Sequence, residues 1–337
     1  MLSVVLIVRD EAAALPGALR SLEPLRDAGL LDAVRVHDTG STDATRELAG
    51  AWGAQVASGP WTGDFAAARN AALEGVSSGW VLSIDADERV EADVDALRAL
   101  LTAGRADAYA VSIRNDADSG AWTHRAERLF RPAVARWEGR VHERLVARTG
   151  AGLPVADVPA GVLHLDHTGY ATGEVRAAKS VRNVALAQAD LDALAATPHP
   201  DPARVAQVLL DLGRSLVGAD RLQEAVDAFE ALRSLAPGTP QALQGTDAFA
   251  RLLLGAGMDS VVLHLVGELR AGGAPRAYCD WLEAQALAQL GQVERAHDLL
   301  QGVDEVVDTA GRRHPQAQLD ELRSLLRSLR ARVPQPR

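Results

Sequence analysis

Two aspartates separated by one residue follow directly after an apolar stretch of this chain. Asp85 and Asp87 come after residues 80–84, a continuous apolar run that predicts a buried strand. Alternate side chains of an extended backbone point to the same side, so this pattern predicts two carboxylates that lie together and repel each other. A Mg²⁺ or Mn²⁺ ion would relieve the repulsion and could neutralise a diphosphate leaving group. A solvated acidic loop ahead of a helix is the alternative interpretation.

A third aspartate, Asp38, begins the polar run of residues 38–43 at the end of a second predicted strand. Gly40 permits a tight turn there, and the hydroxyl residues after it can cap the next helix. A carboxylate at the carboxyl end of a central strand points into the crevice where α/β sheets bind ligands. Asp38 could therefore accept a hydrogen bond from a nucleotide base or ribose, and a capped turn without a ligand is the alternative.

A basic and an amide side chain follow one another on a helix that Asp64 is predicted to cap. Arg69 and Asn70 could reach the carboxyl edge of the sheet, where Arg69 could pair with a phosphate or with an acidic residue of the site. The alternative places both side chains in solvent on the helix surface.

The segment 128–143 places an aromatic ring and acidic side chains close together. Trp137 is a candidate platform for a sugar or an acceptor. Glu143 or Glu138 could remove a proton from the acceptor. An edge strand with alternating charges is the alternative interpretation of the same residues.

A cluster of potential ligands ends the first half of the chain at residues 164–170, which include His167 and Tyr170. A neutral imidazole could complete the cation site begun by Asp87. The helix predicted after this cluster carries Lys179, which could contact a phosphate or merely solvate the helix.

The elements that must position these side chains change character near residue 170. Before it, short β-branched runs alternate with helical stretches, which predicts an α/β domain with a mostly parallel mixed sheet over residues 1–170. The predicted strands are 2–8, 33–37, 55–57, 80–84, 108–114, 125–130, 141–146 and 162–165. The predicted helices are 11–28, 42–52, 64–76 and 91–103.

The second half predicts helices only, with a connecting helix at 171–197 and helical repeats at 198–337. Between Leu212 and Pro237, the spacing of Gly213, Ala225 and Phe229 resembles a tetratricopeptide repeat, in which small residues let two antiparallel helices cross closely. A plain helical bundle is the alternative. Acceptor docking, dimerisation or covering of the catalytic domain are the roles expected of this half.

Bulk composition excludes several classes of protein. The 337 residues favour two domains, and a net charge of -10 without a basic face argues against nucleic-acid binding. The single cysteine, Cys279, is expected to be a buried, inert thiol. Residues 1–8 lack the basic region and cleavage site of a signal peptide, and no run is long enough for a membrane span. The sequence therefore predicts a cytoplasmic protein without a transmembrane segment.

Taken together, the motifs over residues 1–185 resemble family-2 glycosyltransferases, which have the GT-A fold. The similarity is greatest to the branch that includes bacteriocin S-glycosyltransferases and lipopolysaccharide core glucosyltransferases, which implies a bacterial transferase, and tetratricopeptide tails recur in that branch. The runs that carry the resemblance are residues 2–11, 38–43, 64–70, 83–88, 128–131, 137–143 and 167–170.

This resemblance implies a Mn²⁺- or Mg²⁺-dependent enzyme that uses a nucleotide sugar, most simply a UDP-sugar, and inverts the anomeric centre. The donor-binding residues it implies are Val8, Arg9, Glu11, Asp38, Arg69, Asn70, Asp85, Ala86, Trp137, Tyr170 and Lys179. The metal ligands would be Asp87, Asp85 and His167, the residues of the DXD motif and its histidine partner. Glu143 is the predicted base, with Glu138 as the second choice.

The acceptor could be a hydroxyl or thiol on a peptide, on a glycan or on a lipid-linked substrate. A homodimer is compatible with an exposed repeat face. A nucleotidyltransferase would also use paired carboxylates, but residues 9–12 are not its glycine-rich basic loop. An inactive scaffold that binds a partner protein through the repeats is the alternative from another class, and the intact acidic motifs argue against it.

Overall fold

The computed structural model describes residues 1–76, 79–115, 122–150, 152–167 and 173–332. The chain forms two compact units, Met1–Tyr170 and Ala171–Arg337. The first unit contains the strands and the second contains helices.

The N-terminal unit alternates strands and helices in its first hundred residues and is dominated by strands thereafter. Its strands are β1 (Leu2–Val8), β2 (Leu31–Asp38), β3 (Gln55–Ser58), β4 (Trp80–Ser83), β5 (Glu88–Ala92), β6 (Ala108–Asn115), β7 (Trp122–Phe130), β8 (Ala135–Glu138), β9 (Arg144–Ala147), β10 (Ala156–Asp157) and β11 (Leu163–His167). Its helices are α1 (Leu15–Ser21), α2 (Glu23–Asp27), α3 (Thr45–Trp52), α4 (Phe65–Ala72) and α5 (Val94–Ala103). This arrangement confirms the predicted α/β class.

The main sheet has the order β3-β2-β1-β4-β7-β6-β11-β5, with β10 beside β6, and β8 and β9 form a separate hairpin. Strand β1 is parallel to β2 and β4. Strand β7 is antiparallel to both β4 and β6, and β6 is parallel to β11. The carboxyl ends of β1, β2, β4, β6 and β11 therefore lie along one edge of the sheet, and β5 starts at that edge because it is antiparallel to β11.

The core lies on both faces of this sheet, as the two-residue period of β1 requires. Leu2, Val4 and Leu6 pack with the leucines of α1 on one face. Val5 packs on the other face with α4 and with Phe130. The sheet is thus a rigid support for the loops at its carboxyl edge.

The predicted elements agree with the structure except at a few places. The helix predicted at 11–28 is two helices, α1 and α2, and Pro24 lies in the first turn of α2, where its missing N–H costs nothing. The helix predicted from residue 91 begins at Val94, because residues 88–92 form β5 and pair with β11. Strands β8 and β10 were not predicted, and β9 begins at Arg144, three residues later than predicted.

The C-terminal unit is a series of packed helices. They are α6 (Gly173–Ala195), α7 (Pro202–Gly218), α8 (Leu222–Leu235), α9 (Pro240–Gly255), α10 (Asp259–Ala271), α11 (Arg276–Gln289), α12 (Val293–Leu299) and α13 (Gln316–Arg332). A Cβ on Gly213 of α7 would lie 2.4 Å from the ring of Phe229 on α8, so the crossing of these helices requires a glycine. The predicted role of Gly213 and Phe229 in a close helix pair is confirmed.

Cys279 is fully buried on α11, as predicted, and burial raises the pKa of its thiol to about 11. A thiol of this kind is protonated at neutral pH and is a poor nucleophile. Within the described ranges, every helix is too short or too polar to cross a lipid bilayer.

Candidate functional site

The loops after β1 and β2 are tied together by side-chain to backbone hydrogen bonds. The N–H of Thr42 donates to Asp10 Oδ1 (2.7 Å), and the N–H of Asp10 donates to Ser41 Oγ (2.9 Å). The bond from Thr42 lowers the pKa of the exposed Asp10 carboxyl. Glu11 also links the loop after β1 to the segment after β2, because its N–H donates to Thr45 Oγ1 (2.8 Å). These bonds hold the predicted donor-binding residues after β1 beside the end of β2.

Asp38 lies at the end of β2 and is fully buried. Its Oδ1 accepts the N–H groups of Gly40 and Ser41, both at 3.1 Å, so Asp38 itself organises the tight turn. Its Oδ2 is buried and accepts no hydrogen bond from any described residue. Because an unpaired buried carboxylate oxygen is costly, Asp38 retains an acceptor that a donor group of a ligand could satisfy.

Arg69 reaches from α4 to the carboxyl end of β4 and is 5% exposed. Its guanidinium donates to Glu143 Oε1 (2.5 Å), Ser83 Oγ (3.0 Å) and Asp85 Oδ1 (2.8 Å). Of the two possibilities left open by the sequence, the structure therefore places Arg69 in an acidic network and not in solvent.

A second arginine completes this network from β7. Arg128 Nη2 donates to Asp85 Oδ2 (3.0 Å) and to Glu88 Oε1 (3.1 Å). Glu88 is 2% exposed, and its other oxygen accepts the N–H of Asp85 (2.8 Å). We call Arg69, Asp85, Glu88, Arg128 and Glu143 the arginine–carboxylate network.

The network shifts the pKa values of its members in opposite directions. Although burial opposes ionisation of Asp85, the guanidinium groups of Arg128 and Arg69 hold the pKa of its carboxyl well below the usual range. Burial and the neighbouring Asp85 carboxylate raise the pKa of Glu88, although Arg128 offsets part of the effect. Divergent pKa values among packed carboxyl groups are typical of functional sites.

Asp87 faces a different partner from Asp85. Its Oδ2 lies 3.1 Å from His167 Nε2, at the end of β11. The register of β11 on β5 sets His167 opposite Glu88, which brings the histidine to the turn after β4. Strand β4 ends at Ser83, so residues 85 and 87 lie in a turn and the predicted side-by-side arrangement on an extended backbone is wrong.

Residues 3–158 match the family model described as Glycosyl transferase family 2. The N-terminal unit is a glycosyl transferase family 2 domain. This match covers most of the first unit and none of the second. The predicted resemblance to family-2 glycosyltransferases, with a mixed GT-A-type sheet and a helical C-terminal unit, is confirmed, whereas the branch stays a prediction.

Two relatives cover parts of the chain. A TPR repeat-containing protein of Synechococcus elongatus is 37% identical over 131 residues, which are 38% of this chain and 31% of the relative. An uncharacterized glycosyltransferase of Rickettsia prowazekii is 32% identical over 109 residues, which are 32% of this chain and 35% of the relative. The chain thus spans about a third of the length of these relatives.

Among solved structures, glucosyl-3-phosphoglycerate synthase from Mycobacterium tuberculosis is 30% identical over 34% of this chain and 44% of its own, with a TM-score of 0.29. That synthase was crystallised with Mn²⁺, uridine diphosphate and glucosyl-3-phosphoglycerate.

The donor set of the family 2 domain fits a divalent cation that shares its coordination with a substrate. Asp87 and His167 supply a carboxylate and an imidazole within 3.1 Å of each other. Asp85, the third predicted ligand, has both oxygens hydrogen-bonded to arginines. The described residues contain no cluster of three or more side chains that could hold a metal by themselves. Mg²⁺ and Mn²⁺ sites often use one or two protein ligands and substrate phosphates, so two ligands are compatible with such an ion.

Two predicted donor-binding residues of the family 2 domain, Trp137 and Asn70, make contacts within the protein and do not face a ligand site. Trp137 is 3% exposed and its ring packs edge-on against Phe130 at 5.7 Å, so no ring face is open to a sugar and the platform role is not supported. Asn70 exchanges two hydrogen bonds with the backbone of Trp137, at 2.9 and 3.0 Å. This amide therefore ties α4 to β8, and its predicted contact with the nucleotide is not supported either.

The remaining predicted residues occupy varied positions. Val8 and Ala86 are buried, so they could contribute only their backbone to a ligand, and Arg9 is exposed. Glu138 is half-buried at the end of β8, 3.5 Å from Arg136. Lys179 is exposed on α6 of the C-terminal unit, and Tyr170 lies outside the described residues.

Sequence reasoning missed Glu88 and gave Arg128 no role in the site. A weak signal for Glu88 was present, because a two-residue period places Glu88 on the same face of a strand as the apolar Val90. The sequence signal for Arg128 was its position directly before the apolar residues Leu129 and Phe130 in the same predicted strand.

Proposed function

We propose that this chain is a glycosyltransferase that moves a sugar from a nucleotide sugar, most simply a UDP-sugar, to a hydroxyl or thiol acceptor with inversion at the anomeric carbon. Family 2 membership of the N-terminal unit supports the reaction class. The observation that carries the proposal is the Asp87–His167 pair beside the arginine–carboxylate network, at the carboxyl edge of the sheet.

Asp38 would bind the base of the nucleotide. Its buried Oδ2 can only accept a hydrogen bond, and the N3–H of uracil is a donor of matching chemistry. The turn that Asp38 organises through its Oδ1 fixes the direction of the second oxygen, so the acceptor is held in place before the donor substrate binds.

Asp87 and His167 would hold Mn²⁺ or Mg²⁺ next to the diphosphate. When bound, the ion supplies positive charge to the diphosphate leaving group. Arg69 and Arg128 hydrogen-bond to Asp85 and keep it ionised, which would hold the turn that carries Asp87 in place. Residues that form hydrogen bonds around a metal site in this way orient the side chains that bind the cation.

Glu143 would take the proton from the acceptor. Its side chain is mostly buried and is held at Oε1 by Arg69, which leaves Oε2 to accept the proton. Glu138 is the second choice, and its greater exposure makes its position less defined. The attacking oxygen or sulfur would approach the anomeric carbon from the face opposite the diphosphate.

The acceptor is proposed only as a class, a hydroxyl or thiol on a peptide, a glycan or a lipid-linked molecule. A helical repeat unit presents an extended surface, which suits the docking of a large acceptor. We further propose that the enzyme works in the cytoplasm, where sugar nucleotides are donors.

Donor hydrolysis tests this function without knowledge of the acceptor. The full chain is incubated with UDP-glucose, UDP-galactose or UDP-N-acetylglucosamine, with and without Mn²⁺, and UDP release is measured. We expect Mn²⁺-dependent release from one sugar nucleotide, and loss of that release in Asp87→Ala but not in Asp95→Ala, which changes an exposed aspartate of α5. Absence of release from all donors, also in a panel of GDP- and TDP-sugars, would favour the scaffold alternative.

A further inference from the structure

The turn at residues 85–88, which we call the metal turn because it carries Asp87, is held by two sets of contacts. The arginine–carboxylate network holds it through carboxylate side chains. The second set comes from Arg89, which directly follows the turn on β5. Arg89 Nη1 donates to the carbonyl oxygens of Ala86 and Glu88, both at 3.1 Å, so this arginine holds the backbone of the turn.

The same guanidinium also reaches the loop after β1. Arg89 Nη2 donates to the carbonyl oxygen of Ala14 (3.1 Å), the last residue before α1. The N–H groups of Ala14 and Leu15 both donate to Glu11 O, at 3.1 and 2.9 Å, so the loop closes as a single turn. Because Glu11 is bonded to the segment after β2, Arg89 connects the metal turn to the loops proposed to bind the nucleotide.

Helix α1 leaves space for this guanidinium because residue 17 is a glycine. A Cβ on Gly17 would lie 2.4 Å from Nη2 and 2.5 Å from Nε of Arg89. Glycine inside a helix is a poorer helix former than alanine, so α1 is less stable with it. The glycine therefore serves the position of the arginine and not the helix itself.

The charge of Arg89 opposes the binding of a cation at Asp87. Burial lowers the pKa of Arg89, and the carboxylate of Asp87 offsets part of this effect. The guanidinium thus lies within electrostatic range of the proposed cation site, where two positive charges would repel each other. The hydrogen bonds of Arg89 to described residues go to neutral carbonyl oxygens. A favourable effect of Arg89 on cation binding must therefore come from the position that it gives the turn.

We propose that Arg89 is a positioning residue that holds the metal turn beside the loop after β1, so that Asp87 binds its cation next to the diphosphate of the donor. Gly17 belongs to the same arrangement, because it makes room for the guanidinium. This role rests on the proposed function, since it requires a cation at Asp87. It goes beyond that function in assigning a task to two residues that touch neither the cation nor the donor.

Mn²⁺ binding to the full chain with UDP tests the proposal. The electron paramagnetic resonance signal of free Mn²⁺ is followed, with a protein-free UDP titration as the baseline. We expect Arg89→Gln to raise the Kd for Mn²⁺ about tenfold, because the turn loses its backbone contacts. Arg89→Lys keeps the charge without the planar fork and should restore only part of the affinity. Arg98→Gln removes another arginine–carbonyl bond, to Ala28 O (2.8 Å), and should leave the Kd unchanged.

Gly17→Ala displaces the guanidinium without removing it. We expect the melting temperature to stay or rise, because alanine favours the helix and the obstructed atoms are the end of a flexible side chain. The Kd for Mn²⁺ should nevertheless rise severalfold. Gly50→Ala in α3, where a Cβ meets no atom within 4 Å, is the matched control and should leave the Kd unchanged. The Gly17→Ala/Arg89→Gln double variant should resemble Arg89→Gln, since both changes act on one contact.

Amide hydrogen exchange of the metal-free protein gives a second readout. We expect residues 85–88 to exchange faster in Arg89→Gln and Gly17→Ala than in the wild type. A lower Kd for Mn²⁺ in Arg89→Gln, as the loss of a repelling charge alone predicts, would overturn the positioning role and leave the proposed function intact. Wild-type Kd values in both variants would do the same. Absence of Mn²⁺ binding by the wild type would instead contradict the proposed cation site, and the role of Arg89 with it.

Discussion

Both units bury carboxylates beside arginines, but they balance the charges differently. In the N-terminal unit, two guanidinium groups, Arg69 and Arg128, face the three carboxyl groups of Asp85, Glu88 and Glu143. In the C-terminal unit, Asp308 is held by Arg312 (2.9 Å) and by the N–H groups of residues 310 and 312. The first set is one cation short, whereas the second pairs one carboxylate with one arginine and backbone donors.

The difference appears in the pKa shifts. Burial opposes ionisation of Asp308, but its bonds to His314 and Arg312 dominate, and they hold its pKa well below the usual range. In the arginine–carboxylate network one carboxyl is lowered and another, Glu88, is raised. A buried charge by itself is therefore no sign of catalysis. An unbalanced set of buried charges at the carboxyl edge of a sheet, where another carboxylate oxygen is buried without a partner among the described residues, is stronger evidence for a functional site.

Replacement of the proposed base is expected to have the largest effect. Glu143→Gln keeps a hydrogen-bond acceptor for Arg69 but removes the ability to take a proton at neutral pH. We expect kcat for transfer to fall by roughly 100- to 10,000-fold, with little change in the KM for the donor. Glu138→Gln is the matched control and should lose far less. If Glu138→Gln is the inactive variant and Glu143→Gln is not, the base has been assigned to the wrong glutamate.

Removing one arginine from each unit tests whether the two charge clusters differ in function. Arg69→Gln leaves Asp85 and Glu143 without their shared partner and should lower the free energy of unfolding by about 3–5 kcal/mol. It should also abolish donor hydrolysis. Arg312→Gln leaves Asp308 with its backbone donors, so we expect a loss of about 1–2 kcal/mol and unchanged hydrolysis. Chemical denaturation and UDP release measure both effects, and equal loss of hydrolysis in the two variants would contradict the distinction.

Asp38→Asn tests the unpaired acceptor. Asparagine keeps an oxygen for the N–H groups of Gly40 and Ser41, but it places an NH₂ group where Oδ2 was. We expect the Kd for UDP to rise by roughly 10- to 100-fold, because a donor then faces the N–H of the base, with little loss of stability. Asp64→Asn, at the cap of α4, should leave the Kd unchanged. Calorimetric titration gives both values, and an unaffected Kd in Asp38→Asn would remove the residue from the donor site.

The smallest effect concerns the pH dependence of stability. A carboxyl whose folded pKa is raised stabilises the fold below its unfolded pKa, about 4.3, and this contribution is lost as the pH rises through the folded pKa. Glutamine mimics the protonated form of Glu88. The free energy of unfolding of Glu88→Gln relative to the wild type should therefore increase with rising pH above about 4.3. A constant or decreasing difference would show that Glu88 is ionised without penalty.

Features set by local sequence were predicted best. The boundaries of β1 and the cap at Asp64, whose Oδ1 accepts the N–H of Ala67 (2.8 Å), follow from a short apolar run and from a single side chain. The close crossing at Gly213 is similar, since a glycine and a phenylalanine at a fixed spacing determine it.

Features set by pairing between distant segments were predicted worst. Glu88 is buried because β5 pairs with β11, some 75 residues later in the chain, and the short alternation of residues 88–92 does not by itself show that this face is covered. Trp137 stands among charged residues, as a surface aromatic would, but the contacts of β8 with α4 and Phe130 bury it. The roles of individual residues in catalysis stay predictions, because they depend on a substrate and not on the fold alone.

The melting temperature of the full chain in the presence of UDP, with and without Mn²⁺, tests the central claim most directly. A ligand at about 100 times its Kd adds about 2.7 kcal/mol of stability, which corresponds to a rise of roughly 5–10 °C in a domain of this size. We expect such a rise in the wild type with UDP and Mn²⁺ together, a smaller one with UDP alone, and no Mn²⁺-dependent part in Asp87→Ala. Equal rises in the wild type and Asp87→Ala, or no rise with UDP and Mn²⁺, would contradict a metal-dependent nucleotide-sugar site at the Asp87–His167 pair.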